Sequence, residues 1–311
     1  MKHAKESGAA ANFFYKLYLS YIPNKRDNIK QIVVKIFFLL SLAVLIVSAG
    51  YLTNYFLYGK RQENIIEKSR EVWHNSVSVN STVDKSVAET LLESNSDFKG
   101  WITIDGTNID NPFFQTIDNE FYLNHNQNKQ KSTYGALFLD YSNTLTEQKQ
   151  DKNLVIYGHH MKNGSMFANL VKYKSLNFYK QHPTVDFSTL YGKSTYKIYA
   201  AFVLNASKAD DNGYVYNIYR NKFSDGEDFD DWYSEAAERS IINTGVDVEY
   251  GDDIITLVTC DYDFENARFV VMARKTRNGE SENVDTSKAK TAVSPRYPKR
   301  WYDDRGLEYP Y

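Results

Sequence analysis

Residues 252–260 have the sequence DDIITLVTC, and residues 268–273, which begin eight positions after Cys260, have the sequence RFVVMA. Each is a short apolar run, rich in β-branched side chains and bounded by polar residues, which predicts two buried β-strands. A third apolar run, residues 154–157, ends in Gly158-His159-His160. A thiol, an imidazole and a guanidinium at strand ends are the parts of an acyl-transfer site.

Cys260 is the only cysteine among the 311 residues. A single cysteine is more often a small buried hydrophobe than a nucleophile. Cys260, however, ends its strand, and a polar segment with Asp261 and Asp263 follows at once. Because reactive groups are commonly presented where a strand opens into a loop, we predict a nucleophilic cysteine. A single cysteine also excludes an intrachain disulfide and a cysteine-based metal cluster.

The composition is that of a globular protein with a sizeable core: 42% of the residues are hydrophobic and 24% are charged. The formal net charge of −2 gives no indication of a nucleic-acid-binding protein. The 25 tyrosines and 18 phenylalanines favour β-structure over helix.

The N-terminal region contains an almost wholly apolar segment, residues 32–52. As a helix it would span a bilayer core of about 30 Å. Basic residues outnumber acidic ones before it more strongly than after it, which predicts a cytoplasmic arm at 1–30, a single-pass signal anchor at 31–52 and an extracellular remainder. A cleaved signal peptide is the alternative, and the length of the apolar core favours the anchor.

The rest of the chain divides into a polar-faced helical stalk at 53–95, a domain at 96–277 and a tail at 278–311. Within the domain, about eight short strands with helical insertions favour a mainly antiparallel β-barrel or sandwich with helices. The strands are predicted at 102–104, from 109 after an Asp105-Gly106 turn, and at 136–139, 153–157, 185–190, 196–204, 252–260 and 268–273, and the helices at 165–173, 175–181 and 229–242.

The chemistry predicted for this site begins with thioester formation at Cys260. A histidine would protonate the leaving amine and later deprotonate the incoming nucleophile. His159 and His160 point to opposite sides of an extended backbone, so only one of them can face the thiol. If the strands of Cys260 and Arg268 pair through a short loop, these residues become cross-strand neighbours, and Arg268 can stabilise the oxyanion. A metal site at the two histidines is disfavoured, since the side chains diverge and a third ligand is not evident.

At these residues the chain resembles the sortases, the membrane-anchored cysteine transpeptidases of Gram-positive bacteria. The TLVTC run at 256–260 matches their strand motif, Gly158-His159 matches their Gly-His pair, and Arg268 matches their arginine at the start of the next strand. Residues 157–167, the stalk and the helix at 229–242 are most similar to class B. The resemblance covers roughly residues 95–277 and leaves the tail outside.

The resemblance implies a closed β-barrel of about eight strands, with N-terminal helices and a long helix before the cysteine strand. It implies a cysteine-type peptidase that cleaves the C-terminal sorting signal of surface proteins after its threonine. The acyl group would pass from a thioester at Cys260 to an amine of a peptidoglycan precursor or to a pilin lysine. No cofactor and no metal are expected.

The site residues that follow are catalytic His159, Cys260 and Arg268, with Tyr157, Asn163 and Thr259 as substrate-binding residues. The helix at 229–242 and residues 210–219 are predicted to wall the substrate groove. Two other functions remain open: a hydrolytic cysteine peptidase that uses the same Cys/His pair, and a non-catalytic surface adhesion barrel with a buried Cys260.

Overall fold

The computed structural model describes residues 15–76, 85–209 and 211–311, and the chain divides into two compact units, residues 1–64 and 65–311. Helix α1, Ile29–Ser76, begins in the first unit and ends in the second. Parts of the predicted arm (1–14) and stalk (77–84) lie outside the described residues.

Helix α1 starts at a reciprocal cap: the Gln31 backbone N–H donates to Asn28 Oδ1 at 2.9 Å, and the Asn28 backbone N–H donates to Gln31 Oε1 at 2.9 Å. This arrangement satisfies two N–H groups that a helix start otherwise leaves unpaired. Among the described residues, α1 is the one helix that is long and apolar enough to cross a membrane.

The second unit is built on a closed barrel of eight strands in the order β1-β2-β3-β4-β8-β9-β6-β5. The closed barrel of about eight strands that the resemblance implies is confirmed. The pairs are antiparallel except β2·β3 and β4·β8, which are parallel. The strands are β1 Phe98–Thr103, β2 Asp110–Phe114, β3 Leu137–Leu139, β4 Asn153–Tyr157, β5 Thr184–Thr189, β6 Gly192–Asn205, β8 Ile254–Cys260 and β9 Ala267–Lys275.

A two-residue strand β7, Ile242–Asn243, pairs with β10, Lys290–Thr291, outside the barrel. Further α-helices are α2 Lys85–Ser94, α3 Leu176–Gln181, α4 Gly226–Arg239 and α5 Lys299–Asp303, and residues 15–21 are also helical. Short 3₁₀-helices occur at Phe121–Leu123, Ala168–Lys174 and Thr286–Lys288.

The predicted bounds of the long helix, 229–242, are wrong at both ends. Helix α4 begins at Gly226 because Asp225 caps it, its Oδ1 accepting the Asp228 backbone N–H at 3.0 Å. It ends at Arg239 because Ser240 turns extended and Ile242 enters β7. The apolar face that predicted the helix does pack inward, with Phe229, Trp232 and Ala236 buried.

The predicted helix at 165–173 is a 3₁₀-helix shifted to Ala168–Lys174. Two backbone positions in the left-handed region precede it, Gly164 with φ 83° and Met166 with φ 54°, and they prevent an α-helix from starting at Ser165. Met166 instead forms an isolated β-bridge with His160, which holds the segment against the end of β4.

The end of the barrel is tied to the tail through Glu280. Its carboxylate accepts hydrogen bonds from Arg274, with Nη1 at 2.6 Å, and from Lys197, with Nζ at 2.6 Å. Arg274 is an ion-pair residue whose side chain is 1% exposed. These hydrogen bonds, those of Arg274 first, hold the pKa of Glu280 well below its ordinary value of 4.5.

A depressed carboxyl pKa stabilises the folded protein above pH 4.5, and the stabilisation is lost as the pH falls from there towards the folded pKa. We therefore expect Glu280→Gln to lower the free energy of unfolding by about 1–2 kcal/mol at pH 7 and to flatten its decline below pH 4.5. Urea unfolding followed by fluorescence, from pH 7 to below pH 4.5, measures the free energy of unfolding and its decline with pH. The exposed Glu282→Gln is the control, and equal acid slopes for Glu280→Gln and the parent would contradict the expectation.

Candidate active site

Cys260, His159 and Arg268 reach one end of the barrel from three neighbouring strands. Strands β4 and β8 run parallel with Tyr157 opposite Val258, so the residues that follow each strand emerge on the same side. Strand β9 runs antiparallel to β8 and places Arg268 directly opposite Cys260. The cross-strand pairing predicted from the short loop is therefore present.

A cleft of about 420 Å³ opens at this end of the barrel, and Cys260, His159 and Arg268 all line it. All three side chains are half-buried, which leaves the thiol reachable from solvent. Among the described residues that line the cleft, the charged side chains are Arg268 and Lys208, and none is acidic.

The ring of His159 is held by the carbonyl oxygen of Leu123, which lies 2.8 Å from Nε2. A carbonyl oxygen can only accept, so Nε2 carries the proton of the neutral imidazole. Nδ1 then keeps its lone pair and can accept a proton from a group in the cleft. A general base in this cleft could therefore act through Nδ1.

His160 has a different environment from His159. Its Nδ1 lies 3.0 Å from the carbonyl oxygen of Cys260 and must donate to it. The ring lies 4.9 Å from that of Tyr262, and His160 is not among the residues that line the cleft. The structure thus places His159 in the cleft and gives His160 a contact with the backbone beneath the thiol.

Gly135 lies directly behind the His159 ring. A Cβ at this position would stand 2.5 Å from the Tyr122 carbonyl oxygen and 2.9 Å from His159 Cδ2, and the φ of 61° is unfavourable for other residues. The space that glycine leaves is therefore filled by the imidazole, and a larger residue would displace it.

We expect Gly135→Ala to lower kcat by about 10- to 100-fold, because a displacement of a catalytic group by about 1 Å costs about that much. Steady-state cleavage of the sorting-signal peptide that the resemblance implies as substrate measures the loss. Gly251→Ala is the matched control, since Gly251 also has a positive φ, of 101°, but has no atom within 4 Å of its Cβ position and does not line the cleft. Equal activities for the two variants would show that the His159 ring does not depend on Gly135.

Arg268 is fixed beside the cleft by a hydrogen bond from Nη1 to the Ala267 carbonyl oxygen at 3.0 Å. Its guanidinium carries five N–H donors in a rigid plane, which suits a developing oxyanion or a peptide carbonyl. The arrangement places a cationic donor group one strand away from the thiol.

Two of the three predicted substrate-binding residues, Tyr157 and Thr259, line the cleft. The Tyr157 hydroxyl donates to Asp140 Oδ2 at 2.9 Å, and burial, together with Tyr219 and Asp140, holds its pKa well above the usual range. It therefore stays protonated and can act as a donor. The Thr259 hydroxyl is buried and has no hydrogen-bond partner in the described structure.

Asn163, the third predicted substrate-binding residue, does not line the cleft. Its Oδ1 accepts the Ser165 hydroxyl at 2.8 Å and the Ser165 backbone N–H at 3.2 Å, while its Nδ2 lies 3.4 Å from the Tyr134 hydroxyl. The side chain is engaged in the turn at Gly164.

The wall of the cleft includes residues that the sequence reasoning did not single out. Asn119, for example, comes from the segment between β2 and β3, and no local pattern marks it. Residues 210–219 were predicted to wall the groove, and Val215, Ile218 and Tyr219 do line the cleft, although residue 210 lies outside the described part. None of the described residues of α4 lines it; the helix packs behind this segment, where the Tyr216 hydroxyl donates to the Trp232 carbonyl oxygen at 3.0 Å.

Groups of three or more histidine, cysteine, aspartate or glutamate side chains arranged to hold a metal ion do not occur among the described residues. The candidate site therefore consists of the Cys260 thiol, the two histidines with their carbonyl partners, and the cationic side chains of Arg268 and Lys208.

Comparison with known proteins matches the sortase domain family over residues 102–276. Sortase B of Listeria monocytogenes is 34% identical over 220 residues, which cover 69% of this chain and 85% of the relative. Among solved structures, the Staphylococcus aureus sortase B–substrate complex aligns with a TM-score of 0.63 at 28% identity and covers 71% of this chain and 99% of that one. A mutant form of Clostridium perfringens sortase B aligns with a TM-score of 0.62 at 35% identity, over 69% and 98% of the two chains.

Proposed function

Because this chain belongs to the sortase family and resembles its class B members, we propose that it is a cysteine transpeptidase that joins surface proteins to the cell wall. The observation that carries the proposal is the meeting of Cys260, His159 and Arg268 in one cleft, each delivered by a strand of the barrel. The substrate is the C-terminal sorting signal of a surface protein, cleaved after its threonine.

In the first step, Cys260 Sγ attacks the carbonyl carbon of the scissile peptide bond, and His159 Nδ1 takes the thiol proton. The guanidinium of Arg268 stabilises the oxyanion of the tetrahedral intermediate. Its collapse breaks the C–N bond, and the same proton passes from His159 to the departing amine. The acyl group remains on Cys260 as a thioester.

In the second step, an amine attacks the thioester carbonyl, and His159 takes the proton that the amine loses. Collapse of this intermediate breaks the C–S bond and expels the thiolate of Cys260, so the product is a new amide. We propose an amine of a peptidoglycan precursor as the acceptor. Support comes from a sortase B solved as a complex with triglycine, a short peptide with a free amine, and from the S. aureus sortase B–substrate complex.

The proposed topology has the N-terminus in the cytoplasm, residues 31–52 in the membrane and the catalytic domain outside. The apolar stretch of α1 and the excess of basic residues before it support this arrangement. It would bring Cys260 to the side of the membrane on which surface proteins and cell-wall precursors meet.

Amine dependence tests the proposal. The full chain in detergent is incubated with a pool of sorting-signal peptides, with and without triglycine, and products are identified by mass. A transpeptidase gives an amide product that increases with triglycine at the expense of the free acid. A hydrolytic peptidase would give the acid alone, an enzyme that joins pilins would prefer an Nα-blocked lysine, and an adhesion barrel would leave every peptide intact.

A further inference from the structure

The wall segment, residues 211–219, separates two cavities. Val215 and Ile218 line the Cys260 cleft, whereas Tyr214 and Tyr216 line a second cavity of about 170 Å³. Leu204 of β6 borders both. The wall segment is therefore a partition one chain thick, and whatever fills its far side helps to set the shape of the cleft.

The far side of the second cavity is formed by the tail. Arg296, Tyr297 and Pro298 line it together with Tyr309 and Tyr311 near the C-terminus. The predicted tail, to which the sequence assigned no role, thus packs on the outer face of the wall segment.

Two attachments fix the tail against the domain. In the first, the Lys299 backbone N–H donates to Asp211 Oδ1 of the wall segment at 2.5 Å. Burial raises the pKa of the Asp211 carboxyl. In the second, the Arg296 backbone N–H donates to the Glu238 carbonyl oxygen of α4 at 2.8 Å. Pairing of β10 with β7 continues this contact towards the barrel. The tail bridges α4 and the start of the wall segment.

The tail is itself a packed aromatic cluster. Tyr297 stacks on Trp301 with ring centroids 4.2 Å apart, and the Arg305 guanidinium lies 4.1 Å from the Trp301 ring. The Arg296 guanidinium lies 5.2 Å from the Tyr311 ring. Such stacked and cation–π contacts stabilise a single packed conformation of the tail.

We propose that the tail is a positioning element that holds the wall segment in place and thereby sets the affinity of the Cys260 cleft for its substrate. Cys260 and Arg268 are fixed by the pairing of β8 with β9, and the His159 ring by the Leu123 carbonyl oxygen, so loss of the tail leaves all three in position. The effect falls on KM, because the wall segment contacts bound peptide and takes no part in the chemical steps. The kinetic part of this inference rests on the proposed transpeptidase function.

The test compares four forms of the full chain in detergent: the parent, a truncation that removes residues 295–311, Asp211→Ala, and Val293→Ser as control. Val293 lies in the tail and is fully exposed, so its replacement disturbs no packing. For the truncation we expect a KM for the sorting-signal peptide about 10-fold higher, with kcat within about twofold of the parent. Asp211→Ala, which removes one attachment, shifts KM by about threefold in the same direction.

Hydrogen exchange provides a readout that needs no catalysis. Backbone amides at 211–219 exchange at least about 10-fold faster in the truncated protein, while those of β8 and β9 keep the parent rates. A synthetic peptide of residues 295–311, added to the truncated protein, restores slow exchange at the wall segment and lowers KM.

Unchanged exchange at 211–219 in both the truncation and Asp211→Ala overturns the proposal. If the truncation speeds exchange throughout the barrel, its effect is not specific to the wall segment. Exchange at 211–219 in Asp211→Ala then decides whether the proposal holds. If the parent turns over no peptide, the proposed function fails, and exchange at the wall segment still tests whether the tail holds it. A fall in kcat with unchanged KM would assign the tail a different role and would also overturn the proposal.

Discussion

Cys260→Ala is expected to lower peptide turnover by at least about 10⁴-fold, because no other group in the described cleft can form the thioester. The chain has a single cysteine, so a second thiol cannot substitute for it. Initial rates of sorting-signal cleavage, measured with enzyme in excess, give the sensitivity needed. Since the side chain is half-buried and small, the melting temperature of the variant should lie close to that of the parent.

The control for this variant is labelling of the parent with a mild thiol reagent. Cys260 lines an open cleft, so it should react in the folded protein, and the modified protein should be inactive. Turnover by Cys260→Ala above about 1% of the parent rate would remove the thioester from the mechanism. A folded parent that resists labelling would favour the non-catalytic barrel.

The adjacent histidines offer a matched pair for the second large effect. His159→Ala removes the proposed general base and acid, and we expect kcat to fall by about 10³–10⁴-fold. His160→Ala removes only the hydrogen bond to the Cys260 carbonyl oxygen, so its kcat should fall by no more than about 10-fold. Both side chains are half-buried at the end of the same strand, which makes differences in folding small.

The order of these two effects is the informative result. A larger loss for His160→Ala would mean that the ring beneath the thiol, rather than the ring in the cleft, moves the protons. His159→Gln adds a further control, because it retains a donor towards the Leu123 carbonyl oxygen but cannot serve as a base of comparable strength. It should be as inactive as His159→Ala.

The strands that carry the site were predictable because their information is local. Five of the seven residues at 254–260 are β-branched, and the loop before β9 is short enough to bring Arg268 opposite Cys260. The position of Gly158-His159 at the end of β4 can likewise be predicted from the apolar run that precedes it. The resemblance to a known family then supplied the barrel topology, which no single strand determines.

Other features depend on contacts between distant segments and left no local pattern. Leu123 holds the His159 ring through a backbone carbonyl, which any residue type provides. The bounds of α4 follow from a cap at Asp225 and from pairing of β7 with a strand of the tail. The tail itself is polar and proline-containing in sequence, and its aromatic residues are used in contacts with each other and with the wall segment that no local pattern predicts.

Intact mass spectrometry of the full chain mixed with sorting-signal peptides would test the thioester route most directly. The proposed mechanism predicts a covalent adduct on the parent protein, equal in mass to the acyl part of one peptide, that is absent from Cys260→Ala and is discharged when triglycine is added. An adduct that also forms on Cys260→Ala would contradict the mechanism. So would peptide cleavage by the parent protein during which no adduct can be trapped on it.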